Sequence, residues 1–306
     1  MSAFLGRLRA GPCLLLDGAL GTELMARGLG AGAAPESWVL ERPGTVAEVH
    51  RDHVAAGSEA VHTCTFGANA ARLARFGLAE RAAEINRAAV GLARASGARF
   101  VVGDVGPTGE YLPPVGRADP EAWRKCFVEQ GRVLAAAGVD ALHVETMTDL
   151  REALAALRGL REAAPGLPIL VSLAFERRKR GFFTVMGDAP AAAFARLAGA
   201  GADAAGANCG LASADMADLA RVALAGQGPP LVLQPNAGTP EPGPGGVRYS
   251  QRPEAFADDL AGLLPAPRLA ALGGCCGADP RFIAALRARL DARSAAPPAP
   301  ATGERR

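Results

Sequence analysis

The sequence predicts a single-domain α/β fold, the (β/α)8 or TIM barrel, and three observations lead there. Eight short apolar runs, many of them β-branched, are each followed by a segment of helical period. Parallel strands need helical crossovers, so an unbroken βα alternation reads as a parallel sheet closed on itself. The 306 residues, 49% of them hydrophobic, suffice for one large core of this kind. Finally, polar residues collect where the strands end, as the mouth of such a barrel requires.

The elements follow in order. The first strand is expected at Cys13–Asp17 and its helix at Thr45–Ala56, the second pair at Ala60–Thr65 and Leu78–Ser96. Next come Phe100–Val105 with Pro120–Ala137, Ala141–Thr146 with Leu150–Ala164, and Ile169–Ala174 with Ala189–Ala200. The last three are Ala202–Cys209 with Ala214–Ala225, Leu231–Pro235 with Pro253–Leu264, and Leu269–Gly274 with Pro280–Ala292. Pro120, Pro253 and Pro280 suit a first helical turn, where the missing N–H costs nothing, and Asp119 and Asp279 suit N-caps. The stretch from Pro240, "PEPGPGGVRYSQRP", reads as a long βα loop. The barrel is expected to occupy 1–293, and 294–306, "SAAPPAPATGERR", to be a disordered tail.

Composition excludes several classes of function. Lys and Arg number 33 against 31 Asp and Glu, a net charge of +2 that gives no general pull toward nucleic acid or membrane. Aromatics at 5% leave few platforms for stacking bases. No apolar run approaches the ~18 residues that span a bilayer. The N-terminus lacks a signal peptide's long apolar stretch, since Asp17 interrupts the best candidate. A cytoplasmic protein is expected. Its six cysteines then read as thiols or metal ligands rather than structural disulfides.

Read in order, the strand ends carry Asp17; Thr63, Thr65 and Asn69; Asp104; Glu145 and Thr146; Asn208 and Cys209; Asn236; and Cys275 with Cys276. Caps and loop hydrogen bonds account for Asn69, Asn236 and Asp104. They do not account for three cysteines and two carboxylates at one mouth. Three thiolates suit zinc, and a fourth position left open marks a catalytic site. Two other readings stay open: Cys209 as a small buried hydrophobe beside an accidental pair, and Cys275–Cys276 as a redox disulfide. Cys13, Cys64 and Cys126 read as core or surface thiols, with Cys64 facing away from the barrel interior by strand alternation. His50, His53, His62 and His143 form no metal motif and read as packed or solvated side chains.

"LLLDGALGTEL", "HTCTFGAN", "GDVGPTGEYLPP", "ETMTDLREALAAL", "GANCG", "QPNAG" and "GGCCG" stand in this order between about Leu14 and Leu290. Together they resemble the homocysteine S-methyltransferase family, and in "GDVGPTG" and "ETMTDLREA" the homocysteine-binding module of its cobalamin-dependent methionine synthases. The resemblance implies a (β/α)8 barrel in which Cys209, Cys275 and Cys276 bind one Zn2+, with the homocysteine sulfur as a further ligand. It implies that Asp17 and Glu145 bind the substrate ammonium, and that the Gly18 and Ala19 N–H groups with Thr63 bind its carboxylate. Zinc makes chemical sense, because a free thiol is mostly protonated at neutral pH and a coordinated one is not. Gly273, Gly274 and Gly277 would let the chain turn tightly enough for adjacent cysteines to reach one ion.

Departures refine the reading. The family's usual threonine after "GGCCG" is Ala278 here. Gly67 and Thr146 stand where betaine-using members carry tyrosines, which disfavours a quaternary ammonium donor. No corrinoid or folate domain fits within the chain, so methylcobalamin would act only through a partner protein. The expected donor is a separate methylcorrinoid protein, with S-methylmethionine as the alternative. A non-catalytic thiol- or zinc-binding subunit is the reading from another class. Arg177–Arg180, four consecutive basic residues after strand five, are a candidate docking loop or a solvated one.

Overall fold

The structure, a computed structural model, describes residues 2–243 and 246–295. All eight expected strands are present: β1 (Leu14–Leu15), β2 (Ala60–His62), β3 (Phe100–Val105), β4 (Ala141–Met147), β5 (Ile169–Leu173), β6 (Ala204–Ala212), β7 (Leu231–Asn236) and β8 (Leu269–Leu272). Each is parallel to its sequence neighbour from β2 to β8, and β8 returns to β1. The Glu59 N–H donates to Leu15 O at 2.8 Å, which joins the first and second strands and closes the circuit.

The helix that follows each strand is, in order, α1 (Pro43–Ala55), α2 (Ala82–Arg94), α3 (Pro120–Ala136), α4 (Leu150–Ala163), α5 (Pro190–Gly199), α6 (Ser213–Leu224), α7 (Pro253–Ala261) and α8 (Pro280–Ala295), with shorter helices in the loops. Asp119 accepts the Glu121 N–H at the start of α3, and Asp279 accepts the Arg281 N–H at the start of α8. Both expected caps are therefore in place, satisfying amides the helix cannot. The last helix runs through residue 295, and the rest of the expected tail, 296–306, lies outside the described residues. No helix among the described residues is long and apolar enough to cross a membrane.

Two loops carry antiparallel hairpins, Glu176–Arg178 with Gly181–Phe183 and Glu241–Gly243 with Gly246–Arg248. The second lies in the loop expected from Pro240. At the opposite end a helix not foreseen in the sequence, Ala3–Arg9, closes the barrel floor. Its Phe4 meets Phe100 edge-to-face at 5.4 Å, and Phe4 and Leu8 pack with Val102, Leu170 and Val232 from the strands. The apolar filling thus sits at the floor, and the polar inward positions rise toward the mouth.

On α1, His50 is fully buried with neither ring nitrogen hydrogen-bonded. Burial pushes its pKa down to about 4 from an ordinary 6.5. Below pH 6.5 the unfolded chain binds a proton that the folded chain refuses until about pH 4. Stability is therefore full above 6.5 and falls as the pH drops toward 4, by about 3 kcal/mol. His50→Leu should lose roughly 2–3 kcal/mol less than wild type between pH 7.5 and 4.5 in urea titrations; equal losses would show that His50 does not set the acid limit.

Candidate active site

The sulfurs of Cys209, Cys275 and Cys276 meet at the mouth, all within 4.8 Å of one another. Sulfurs around tetrahedral zinc stand about 3.8 Å apart, given Zn–S bonds near ~2.3 Å. Cys209 and Cys276 are 3.8 Å apart, and all three are free thiols. The three sulfurs are coupled by hydrogen bonds, which with the Gly210 N–H and Asn236 pull the Cys209 thiol down and push Cys275 and Cys276 up. The donor set fits a soft divalent ion, which would take the place of the shared protons.

Local backbone shape puts these groups where they are. Cys209 has φ +57° and Thr146 φ +58°, left-handed values unusual for side-chain-bearing residues. Each lies in a ladder irregularity, in β6 between Asn208 and Ala212 and in β4 between Val144 and Met147. Bulges of this kind re-aim side chains. Asn208 clasps the two: its Oδ1 accepts the Thr146 N–H at 2.6 Å and its Nδ2 donates to Thr146 Oγ1 at 2.7 Å. The same Nδ2 lies 3.8 Å from the Cys275 sulfur. In the paired-cysteine loop Gly277 has φ +78°, and a Cβ there would fall 2.3 Å from the Tyr249 ring.

Beside the thiols lies a cavity of about 510 Å³, lined on its inner wall by Asp17, Gly18, Ala19, Thr63, Asp104 and Glu145. Every site residue expected from the sequence therefore lines this one space. Their hydrogen bonding differs. Asp17 accepts from His62 twice, from the ring Nδ1 at 2.6 Å and the backbone N–H at 2.8 Å. The Ala19 N–H is already donated to Ala278 O at 2.9 Å, leaving Gly18 as the uncommitted amide of that pair. Gly18 packs so closely that a Cβ would fall 2.1 Å from the same carbonyl oxygen. Thr63 Oγ1 accepts the Asp104 N–H and contacts Thr65 Oγ1, so it braces β2 against β3.

Two readings of the strand-end residues need correcting. Asn69 is the expected cap, accepting the Arg72 N–H at 2.9 Å. Asn236 is not: its side chain bonds Cys209, with Oδ1 buried and unpartnered. Asp104 follows the expectation in part: it accepts the Val105 N–H, but its Oδ1 is buried without a hydrogen-bond partner, as is Glu145 Oε2. Burial raises Glu145 to about 7, and it raises Asp104 too, with Glu145 and Asp17 adding repulsion.

The histidines are packed, as expected, but the expectation that they form no metal motif needs correcting: ligand atoms of His62, His143 and Glu145 lie within 4.8 Å of one another. All four are buried, and His62 and His143 form a chain through the barrel. Asp17 bonds His62, His62 Nε2 lies 2.9 Å from His143 Nδ1, and His143 Nε2 lies 2.8 Å from Ser172 Oγ. Burial opposes charge on His62, but Asp17 outweighs it and raises that ring, whereas burial and the His62 charge lower His143. Asp17 accepts the His62 Nδ1–H, and the two further contacts carry the chain on through His143 to Ser172. Strand alternation carried this signal: His143 lies two residues before Glu145, on the same inward face. Cys64 obeys the same rule, buried outside the barrel among residues that include Trp38 and Val39.

The rest of the mouth is apolar or already paired. Met25, Phe66 and Phe76 wall the outer cavity, and Arg72 lies over the Phe66 ring at 5.0 Å. A cation therefore already covers that aromatic face. In the basic run, Arg177 binds Asp215 and Asp218, and Arg178 binds Glu176. Lys179 and Arg180 remain at the hairpin turn.

Comparison with known proteins gives a consistent set of relatives. A family model described as Homocysteine S-methyltransferase matches residues 14–290. Methionine synthase of Mycobacterium tuberculosis (strain ATCC 25618 / H37Rv) is 30% identical over 292 residues, covering 90% of this chain and 24% of that protein. The chain thus spans about a quarter of its length. Betaine–homocysteine S-methyltransferase 1 of Danio rerio is 33% identical over 211 residues, covering 67% of this chain and 50% of that protein. The solved homocysteine methyltransferase MmuM of Escherichia coli, in its metallated form, superposes with a TM-score of 0.72 at 29% identity, covering 92% of this chain and 99% of that one.

Proposed function

Because the chain belongs to the homocysteine S-methyltransferase family, we propose that it methylates the sulfur of L-homocysteine, giving methionine, with one zinc ion held by Cys209, Cys275 and Cys276. The observation that carries this is the junction of the three-thiol corner with a carboxylate wall in one cavity. An amino thiol has a matching pair of ends. Bound zinc would lower the pKa of a coordinated substrate thiol and so make the sulfur nucleophilic at neutral pH.

The chain's own residues do the rest. Asn208 and Asn236 support the cysteine sulfurs from behind. Asp17 and Glu145 supply the negative field for the substrate ammonium. The Gly18 N–H, with Ala19 and Thr63 forming the wall beside it, receives the carboxylate. Met25, Phe66 and Phe76 keep the approach to the sulfur apolar. The substrate sulfur then forms its bond to the methyl carbon as the bond from that carbon to its carrier breaks. No general base is required once the thiol is ionised.

A separate methylcorrinoid protein is the proposed donor, a reading supported by the 90% coverage against the mycobacterial methionine synthase. A free sulfonium donor such as S-methylmethionine is the second reading. The test is methionine formation from homocysteine by zinc-loaded protein, with a methylcorrinoid or with S-methylmethionine. Turnover with the corrinoid is expected. Turnover only with S-methylmethionine would select the second donor, and none with either would sink the proposal.

A further inference from the structure

Arg72 follows the end of β2 on the short helix Ala70–Leu73, is half-buried, and lines the same cavity as the three cysteines. Among the described residues its guanidinium forms no ion pair and no hydrogen bond. Glu36, in the same wall, feels its charge, but that carboxylate is buried, accepts the Gly67 N–H at 2.6 Å and is raised by burial. The guanidinium lies instead over the Phe66 ring, 5.0 Å from its centroid. The space around both side chains fixes this seat. A Cβ at Gly67 would fall 3.0 Å from Arg72 Nε, so the absent side chain leaves the arginine its place. A Cβ at Gly106, just after β3, would fall 2.6 Å from Phe66 Cδ2, so the ring is backed by the chain. Met25 and Phe76, at 49% and 43% exposed, mark the side on which the cavity opens to solvent. Asp17, Asp104 and Glu145 line the inner wall at the strand ends.

We propose that Arg72 is a specificity-determining residue for the methyl donor: it fixes a positive charge on the approach to the acceptor sulfur and so selects against donors whose methyl carrier is itself a cation. The inference rests on the proposed function, because it takes the open side of the cavity as the donor's path. In-line transfer sets the carrier beyond the methyl group, on the side away from the acceptor sulfur and so toward the opening. The new sulfur–carbon bond forms as the carrier–carbon bond breaks, and the electron pair of the broken bond stays with the carrier. A sulfonium or quaternary ammonium carrier enters with its full charge facing Arg72, and finds the Phe66 ring already covered by a cation. A methylcorrinoid, whose carrier is not an onium centre, meets no such repulsion. Selection of this kind works by a repulsive element built against the wrong ligand.

The test is a donor ratio. Zinc-loaded wild type, Arg72→Gln and Arg72→Lys are assayed for methionine formation from homocysteine with trimethylsulfonium, a donor that is a cation and nothing more, and with methylcobalamin. The readout is kcat/KM for trimethylsulfonium divided by kcat/KM for methylcobalamin. Arg72→Gln should raise this ratio roughly 5- to 30-fold, the scale of removing one like charge several Å away near a protein surface. Arg72→Lys keeps the charge, and its ratio should stay within about 2-fold of wild type. A merely structural role for Arg72 would move both donors together and leave the ratio alone. No rise in Arg72→Gln, an equal rise in Arg72→Lys, or a wild type that prefers trimethylsulfonium would overturn the inference while leaving the proposed function standing. No methionine from any of the three proteins with either donor would overturn the proposed function and this inference with it.

Discussion

Cys209→Ala is expected to strip the zinc and reduce methyl transfer to background. Wild-type protein should carry about one zinc per chain, and the variant less than a tenth of that after dialysis, by elemental analysis. Changing a residue that merely supports a ligand costs roughly 10- to 100-fold in metal affinity, and loss of a ligand should cost more. Full zinc retention would remove Cys209 from the ligand set. The positive φ of Cys209 supplies an internal control. A left-handed backbone costs a side-chain-bearing residue about 1–2 kcal/mol, which glycine escapes. Cys209→Gly should therefore lose zinc as completely as the alanine variant, yet keep or raise the stability of the metal-free protein. Cys64→Ala, buried away from the cavity, should keep its zinc.

The second large effect is on folding. Asp17→Ala should cost about 3–5 kcal/mol in unfolding free energy, the range for breaking a buried ion pair by removing one partner. The carboxylate is 1% exposed and receives both the ring and the backbone N–H of His62. Its removal strands a buried ring on a chain that continues through His143 to Ser172. Asp17→Asn keeps an acceptor and should cost less. Urea titration reads both, and a loss below about 1 kcal/mol for Asp17→Ala would mean that the buried pair does not hold the barrel mouth together.

Much of this was legible in the sequence because it depends on period. Alternating apolar runs and helical segments located all eight strands, and the ends of those strands brought Cys209 to Cys275 and Cys276 across 66 and 67 positions of chain. Strand alternation placed Cys64 outside. The histidine chain was missed although alternation sets His143 on the same inward face as Glu145, because its partner His62 lies on another strand. Asp104 and Asn236 were taken for caps for a related reason. Whether a polar side chain at a strand end turns back to its loop or inward to the cavity depends on local backbone geometry. The floor helix Ala3–Arg9 was invisible because a short N-terminal segment shows its purpose only when the barrel it closes exists.

The Asn208 clasp has a consequence for which amino thiols can react. It ties the bend that presents Glu145 to the bend that presents Cys209, so the two ends of the cavity cannot drift independently. On the proposed reading, one end marks where an ammonium stops and the other where a sulfur must arrive. The clasp is then a ruler, graduated in methylene groups. Homocysteine spans it with two methylenes between its α-carbon and sulfur. Cysteine, one methylene short, can touch either mark but not both.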